Sequence, residues 1–240
     1  MKNLETLKKW VQECNRIVFF GGAGVSTESG IPDFRSVDGL YNQKYDYPPE
    51  TILSHTFYRR KTSEFYRFYR DKMICKNANP NVIHKALAKL EAEGKVRAVI
   101  TQNIDGLHQM AGSKEVLELH GSVHRNYCEN CGKFFDAQYI LDSKDVPVCD
   151  ESSCGGGVKP DVVLYEEGLD DETIRKSIEY IKNADVLIVG GTSLAVYPAA
   201  GLIDYYRGDK LILINKSATP RDSVADYIYQ GSLSDVFSKL

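Results

Sequence analysis

The sequence predicts an α/β fold: a doubly wound parallel sheet with a small domain made of a cysteine-bracketed module and a helical insert. Three observations carry this. Short apolar runs recur along the chain, each ending in glycine or a polar loop, and helical patterns alternate with several of them. The chemistry-bearing residues cluster just past the ends of those runs, where parallel sheets place their ligands. Four cysteines bracket a segment too short for a core of its own. The length of 240 residues suits one large domain with an insert. The expected division assigns 1–35, 76–125 and 158–240 to the sheet domain, 36–75 to the helical module and 126–157 to the cysteine module.

Residues 4–15 alternate apolar and charged positions at helical spacing and lead into the run Ile17-Val18-Phe19-Phe20, the pattern of a buried strand. Gly22-Ala23-Gly24 follows, a turn whose backbone N–H groups can approach a phosphate. It departs from the dinucleotide fingerprint: Thr27 stands where a third glycine is expected, and no acidic residue closes a second strand about 20 residues on. Asp33-Phe34-Arg35 reads as a lid, with an aromatic ring and a guanidinium suited to bidentate phosphate binding. A tyrosine-rich stretch with Pro48-Pro49 precedes helical residues 55–75. Asn79 to Lys95 reads as a helix opened by Pro80 and closed by Gly94. Strand signals follow at Val96–Thr101, Val116–Leu119, Pro160–Tyr165, Ala184–Val189 and Asp209–Asn215. Their ends carry Gln102-Asn103-Ile104-Asp105, His120-Gly121, Thr192-Ser193 and Asn215, which converge on one edge.

Hydrophobic content of 42% and charged content of 26% are ordinary for a globular chain. A net charge of −3 without a long basic run argues against nucleic-acid and membrane partners. No apolar run approaches the ~20 residues of a spanning helix. Acidic residues interrupt the N-terminal stretch, which lacks a signal-peptide layout, so a cytoplasmic location with reduced or metal-bound cysteines is expected. Cys128-x2-Cys131, 17 residues, then Cys149-x4-Cys154 is a four-thiolate zinc spacing. Four thiolates close the shell, so the zinc is expected to be structural. Cys14 and Cys75 stand alone and are expected as buried core thiols.

Taken together, Gly22-Ala23-Gly24-x-Ser26, Gly30 to Arg35, Thr101 to Asp105, His120-Gly121, the four cysteines, Lys159-Pro160-Asp161, Gly191-Thr192-Ser193 and Asn215 resemble the sirtuin family over essentially the whole chain. The resemblance implies a Rossmann-like NAD-binding domain and an NAD-dependent protein-lysine deacetylase of bacterial type. It implies NAD as a co-substrate cleaved between nicotinamide and ribose, one structural zinc, acetylated lysine in proteins or peptides as substrate, and inhibition by nicotinamide. By the same resemblance, Ala23 and Thr27 lie along the phosphates and ribose, Arg35 meets phosphate, and Phe34 covers the reactive face. Ile104, Asp105 and Phe34 form the nicotinamide pocket, Gln102 and Asn103 touch ribose, and Thr192, Ser193 and Asn215 hold the adenosine half.

His120 is the implied general base, with Asn103 beside it in the catalytic set; an unperturbed imidazole pKa near ~6.5 suits removal of a proton from a ribose hydroxyl. His84 and His108 read as structural. Val163, Glu166, Glu167, Gly168 and Val196 are the implied peptide contacts. One departure concerns them: Glu166 occupies the family's usual glycine position, and the two acidic side chains either favour basic flanks on the peptide or are a solvated pair. Alternatives remain open here. Sirtuins selecting acidic acyl groups carry Tyr-x-x-Arg, whereas Tyr66 is followed at that spacing by Tyr69, with Arg70 one position late and so about 100° around the helix. Removal of other acyl groups (succinyl or long-chain), mono-ADP-ribosyl transfer and non-catalytic NAD or ADP-ribose sensing are the others.

Overall fold

The computed structural model describes residues 4–33 and 46–240. In chain order the elements are α1 (Leu4–Glu13), β1 (Ile17–Gly21), α2 (Pro49–Ile52), α3 (His55–Arg60), α4 (Thr62–Lys72), α5 (Val82–Ala92) and β2 (Val96–Thr101). Then come α6 (Leu107–Met110), β3 (Val116–Glu118), β4 (Gly121–Cys128), β5 (Phe134–Phe135), α7 (Ala137–Asp142), β6 (Val158–Val162), α8 (Asp171–Lys182), β7 (Val186–Gly190), β8 (Leu211–Asn215), β9 (Tyr227–Gln230) and α9 (Leu233–Phe237).

A parallel six-stranded sheet runs β3-β2-β1-β7-β8-β9. Every residue of β1 and β7 is buried, because helices cover both faces. Side chains alternate between the two. Ile17, Phe19, Val186, Ile188, Ile212 and Ile214 meet Leu7 and Val11 of α1, Ile83 and Leu87 of α5, and Val236 and Phe237 of α9. Val18, Phe20, Leu187, Val189 and Leu213 face the other way, onto Ile181 of α8 and the 3-10 segment Ala199–Tyr205. The strand order turns back between β1 and β7, so the crevice lies past their carboxyl ends.

The second sheet is antiparallel, in the order β5-β4-β6. It shares one apolar cluster with the helical module: Phe57, Phe65, Tyr66 and Tyr69 pack with Val123, Phe135, Ile140, Val158 and Val162. Arg125 of β4 ties the two sheets together. It donates to Glu118 of β3 (2.6 Å) and to Asp161 of β6 (2.7 Å).

Several expectations change. The strand expected at Pro160–Tyr165 is β6, shifted toward the N-terminus and paired antiparallel with β4 instead of joining the parallel sheet. The helix expected over 55–75 is two, α3 and α4, broken at Lys61, whose backbone leaves the helical region (φ −135°, ψ 51°). Cys75 lies beyond the end of α4 and is exposed, not a core thiol; Cys14 is half-buried. Pro80 does not open α5. Asn81 caps it, accepting from the N–H of Ile83 at 2.9 Å, while His84 Nδ1 accepts from the N–H of Asn81 at 3.3 Å. Strand β9 carried no clear signal, since only its first residue is buried.

Candidate active site and metal centre

The glycine turn is shaped by the fold before any ligand. Gly24 donates its N–H to the carbonyl of Gly191 (2.8 Å), and a Cβ on Gly24 would lie 2.8 Å from Gly191 Cα. The glycine therefore permits two loops from adjacent strands, β1 and β7, to touch, and its N–H is spent on that contact. The segment behind is short 3-10 turns at Ala23–Val25 and Thr27–Ser29, not the long helix of a dinucleotide fingerprint. Gly121 is required in the same way. Its φ is +74°, and a Cβ there would meet the Asp161 carbonyl at 1.9 Å, so β4 can leave His120 and pass against β6 only without a side chain.

Past these loops opens a cavity of about 930 Å³, at the upper end of the ~300–1,000 Å³ range of ligand pockets. Of the residues singled out from the sequence, Ala23, Thr27, Gln102, Asn103, Ile104, Asp105, His120, Thr192, Ser193 and Asn215 line it. Val163, Glu166, Glu167 and Val196 line it too; Gly168 does not. Phe34 and Arg35 lie outside the described residues.

Two hydrogen-bonded chains order this cavity. In the first, Asn103 Nδ2 donates to Ser26 Oγ at 3.0 Å and Ser26 Oγ donates to Asp105 Oδ2 at 2.6 Å. The N–H of Leu107 donates to Asp105 Oδ1 at 2.9 Å, and His124 Nε2 donates to the Asp105 carbonyl at 2.9 Å. In the second, Gln102 Nε2 donates to Thr192 Oγ1 (3.0 Å), and the N–H of Thr192 donates to Asn215 Oδ1 (3.0 Å). The other end of the Asn215 amide, Nδ2, is buried without a partner among the described residues, a donor available to a ligand. Ser26 is the residue that sequence reasoning passed over. It was visible only as part of a motif, and its bridging role needs β1 and β2 side by side.

His120 Nδ1 lies 2.9 Å from the carbonyl of Gln102. A carbonyl only accepts, so Nδ1 carries the proton and Nε2 is left as an acceptor. Burial lowers the pKa of this imidazole, outweighing the opposing effect of the Gln102 bond, and keeps the ring neutral.

His84 and His108 are buried with ring centroids 4.7 Å apart, and neither nitrogen of His108 has a hydrogen-bond partner among the described residues. Burial holds both well below the ordinary value, and His84 pushes His108 further down. The unfolded chain then takes up protons near pH 6.5 that the native state refuses. Stability should fall as pH drops below that point, by up to about 1.4 kcal/mol per histidine for each unit. Denaturant midpoints measured from pH 7 to 5 should fall less steeply for His108→Phe than for the parent; parallel curves would refute the assignment.

The four predicted cysteines meet. Their sulfurs all lie within 4.8 Å of one another, with Cys128 to Cys154 at 3.5 Å and Cys131 to Cys149 at 3.7 Å. Four thiolates ~2.3 Å from one zinc form a tetrahedron with edges of about 3.8 Å, so the set fits a closed structural zinc site. The N–H groups of Asn130 and Cys131 point at Cys128 Sγ from 3.4 and 3.5 Å, as in a metal knuckle.

The side chains that would select an acidic acyl group are turned elsewhere. Tyr66 donates its hydroxyl to the Val158 carbonyl, Tyr69 is buried, and Arg70 donates to the carbonyl of Asp145 at 2.8 Å. None of the three lines the cavity.

The family model of the Sir2 family matches residues 22–198 of this chain. The chain belongs to the Sir2 family. Relatives within it include a protein from Clostridium acetobutylicum named NAD-dependent protein deacetylase, 61% identical over 239 residues, covering 98% of this chain and 97% of that protein. One of the same name from Cutibacterium acnes is 51% identical, covering 98% and 96%. Among solved Sir2 structures, one described as a Sir2–p53 peptide–NAD+ complex superposes with a TM-score of 0.86 at 39% identity, covering 99% of this chain and 96% of that one. Another, described as Sir2 bound to acetylated peptide, gives 0.86 at 37% identity over 99% and 96%. Among the described residues no helix is long and apolar enough to cross a membrane.

Proposed function

We propose that this chain removes acetyl groups from protein lysines with NAD as co-substrate, releasing nicotinamide, O-acetyl-ADP-ribose and the free lysine. The observation that carries the reading is His120, its tautomer set by the Gln102 carbonyl, in one cavity with the Asn103–Ser26–Asp105 chain. A site built only to bind has no use for a neutral base held with one free acceptor.

NAD, when bound, supplies an electrophilic ribose carbon as nicotinamide departs. The chain's own residues then have distinct tasks. His120 Nε2 takes a proton from a ribose hydroxyl. Asn103 orients that ribose, its amide held by Ser26. Ala23 and Thr27 flank the phosphates and ribose; by the family resemblance Arg35 is assigned to phosphate and Phe34 to the reactive face, both outside the described residues. Gln102, Thr192, Ser193 and Asn215 hold the ribose and adenosine half, Asn215 through its open Nδ2 donor. The acetyl-lysine peptide lies as an added strand between Val196 and the 163–168 loop. The position of Arg70 favours acetyl over an acidic acyl group.

The test is mass spectrometry of acetylated, succinylated and long-chain acylated peptides incubated with NAD. Loss of acetyl with stoichiometric nicotinamide is expected; no NAD-dependent loss would overturn the reading.

Ile104 and Asp105 are assigned to nicotinamide. The Asp105 carboxylate already accepts from Ser26 and from the N–H of Leu107, and its remaining lone pairs suit a carboxamide N–H. In Asp105→Asn one oxygen becomes a donor that faces other donors. Nicotinamide should then inhibit about tenfold less well, since one charged hydrogen bond is worth roughly 1.5–3 kcal/mol. Superimposable inhibition curves for parent and variant would remove Asp105 from the pocket.

A further inference from the structure

The 163–168 loop is held from both sides. The N–H of Val163 donates to the carbonyl of His120 (3.0 Å), so the loop starts on the proposed base's own backbone. Tyr165 pairs with the start of the helical module: its N–H donates to Leu53 and its carbonyl accepts from His55, both at 2.9 Å. The two acidic side chains that follow are neither free for a peptide nor merely solvated. Glu167 lies 2.9 Å from His55 Nδ1 through one oxygen. Its other oxygen accepts from Lys159 Nζ (3.2 Å) and the N–H of Leu164 (2.9 Å).

Glu166 is the unusual member. Its φ is +76°, the left-handed region that is costly for a residue with a Cβ. Glycine would sit there without strain. The carboxylate offers a compensation that glycine lacks: Oε2 accepts from the N–H of Thr56 at 2.9 Å. That N–H belongs to the first turn of α3, where a helix leaves its donors unpaired.

We propose that Glu166 is a positioning residue that latches the 163–168 loop to α3 and so holds the edge against which the acetyl-lysine peptide docks. The inference rests on the deacetylase reading above. It explains why an acidic residue is tolerated at a glycine conformation: the bond to Thr56 joins the substrate loop to the helical module, whose core also carries the second sheet.

Two substitutions separate latch from strain. Glu166→Gly relieves the backbone and removes the latch; Glu166→Gln keeps an acceptor oxygen. Glu166→Gly should raise the KM for an acetylated peptide about three- to tenfold, the loss of one exposed charge-assisted hydrogen bond, with kcat and the KM for NAD unchanged. Glu166→Gln, which keeps the acceptor oxygen but not its charge, should show a smaller rise than Glu166→Gly. Amide hydrogen exchange should quicken at Leu164 to Glu167 most in the glycine variant. Unchanged peptide KM and unchanged exchange in Glu166→Gly would overturn the latch, and so would an equal loss in Glu166→Gln or a parallel rise in the KM for NAD. Should the parent protein turn over no acetylated peptide, the deacetylase reading fails, and the exchange comparison still decides whether the loop is latched.

Discussion

Replacing His120 with alanine is expected to lower kcat by about 10²–10⁴-fold, the usual contribution of a general base, while NAD still binds measurably. The expectation follows from the ring's surroundings. Its Nδ1–H is committed to the Gln102 carbonyl, so the ring cannot rotate without breaking that bond, and only Nε2 is left to take a proton. Burial keeps the imidazole neutral into mildly acidic solution. The groups assigned to the dinucleotide, from Ala23 to Asn215, sit on other strand ends and lose nothing directly. Steady-state kinetics on an acetylated peptide, with NAD affinity from calorimetry, checks both halves. A rate within about threefold of the parent would take His120 out of the mechanism. Because the ring's pKa is lowered, activity should persist below pH 6.5 and decline only as Nε2 becomes protonated.

Loss of the metal should have the larger effect on the fold. Cys149→Ser is expected to abolish zinc binding and to melt the three-stranded sheet and its loops. Cys128 and Cys149 belong to the same buried cluster as Phe65, Tyr66, Tyr69, Val158 and Val162, so the site anchors a core it could not replace by apolar contacts alone. Structural zinc supplies on the order of 10 kcal/mol in small peptides, more than a small unit can spare. Activity should fall as well, since β6 leads straight into the 163–168 loop and Val163 hangs from the His120 carbonyl. Zinc content, thermal unfolding and turnover measured on one preparation decide the matter. Zinc lost with stability and turnover both intact would sink the structural role. Zinc lost with an intact fold and no turnover would point to a catalytic metal, against the closed four-thiolate shell.

What the sequence determined by itself is local or follows from topology. The buried strands β1, β7 and β8 were legible because strands covered on both faces read as unbroken apolar runs. The zinc ligands were legible because metal geometry restricts spacing within each cysteine pair. The cavity's location was legible because parallel strands put their carboxyl ends on one edge, so His120, Asn103, Asp105, Thr192 and Asn215 had to converge once the sheet was granted.

Tertiary structure alone decided the rest, and for one reason: those features depend on partners far away in sequence, which local periodicity does not report. Whether β6 joined the parallel sheet or paired with β4 turned on an approach that only Gly121 allows. Gly24 reads from sequence as room for a phosphate, yet its N–H belongs to Gly191. Ser26 gained its place only when β1 and β2 lay side by side. Glu166 and Glu167 read from sequence either as peptide contacts favouring basic flanks or as a solvated pair; α3 gives them Thr56 and His55 as partners instead.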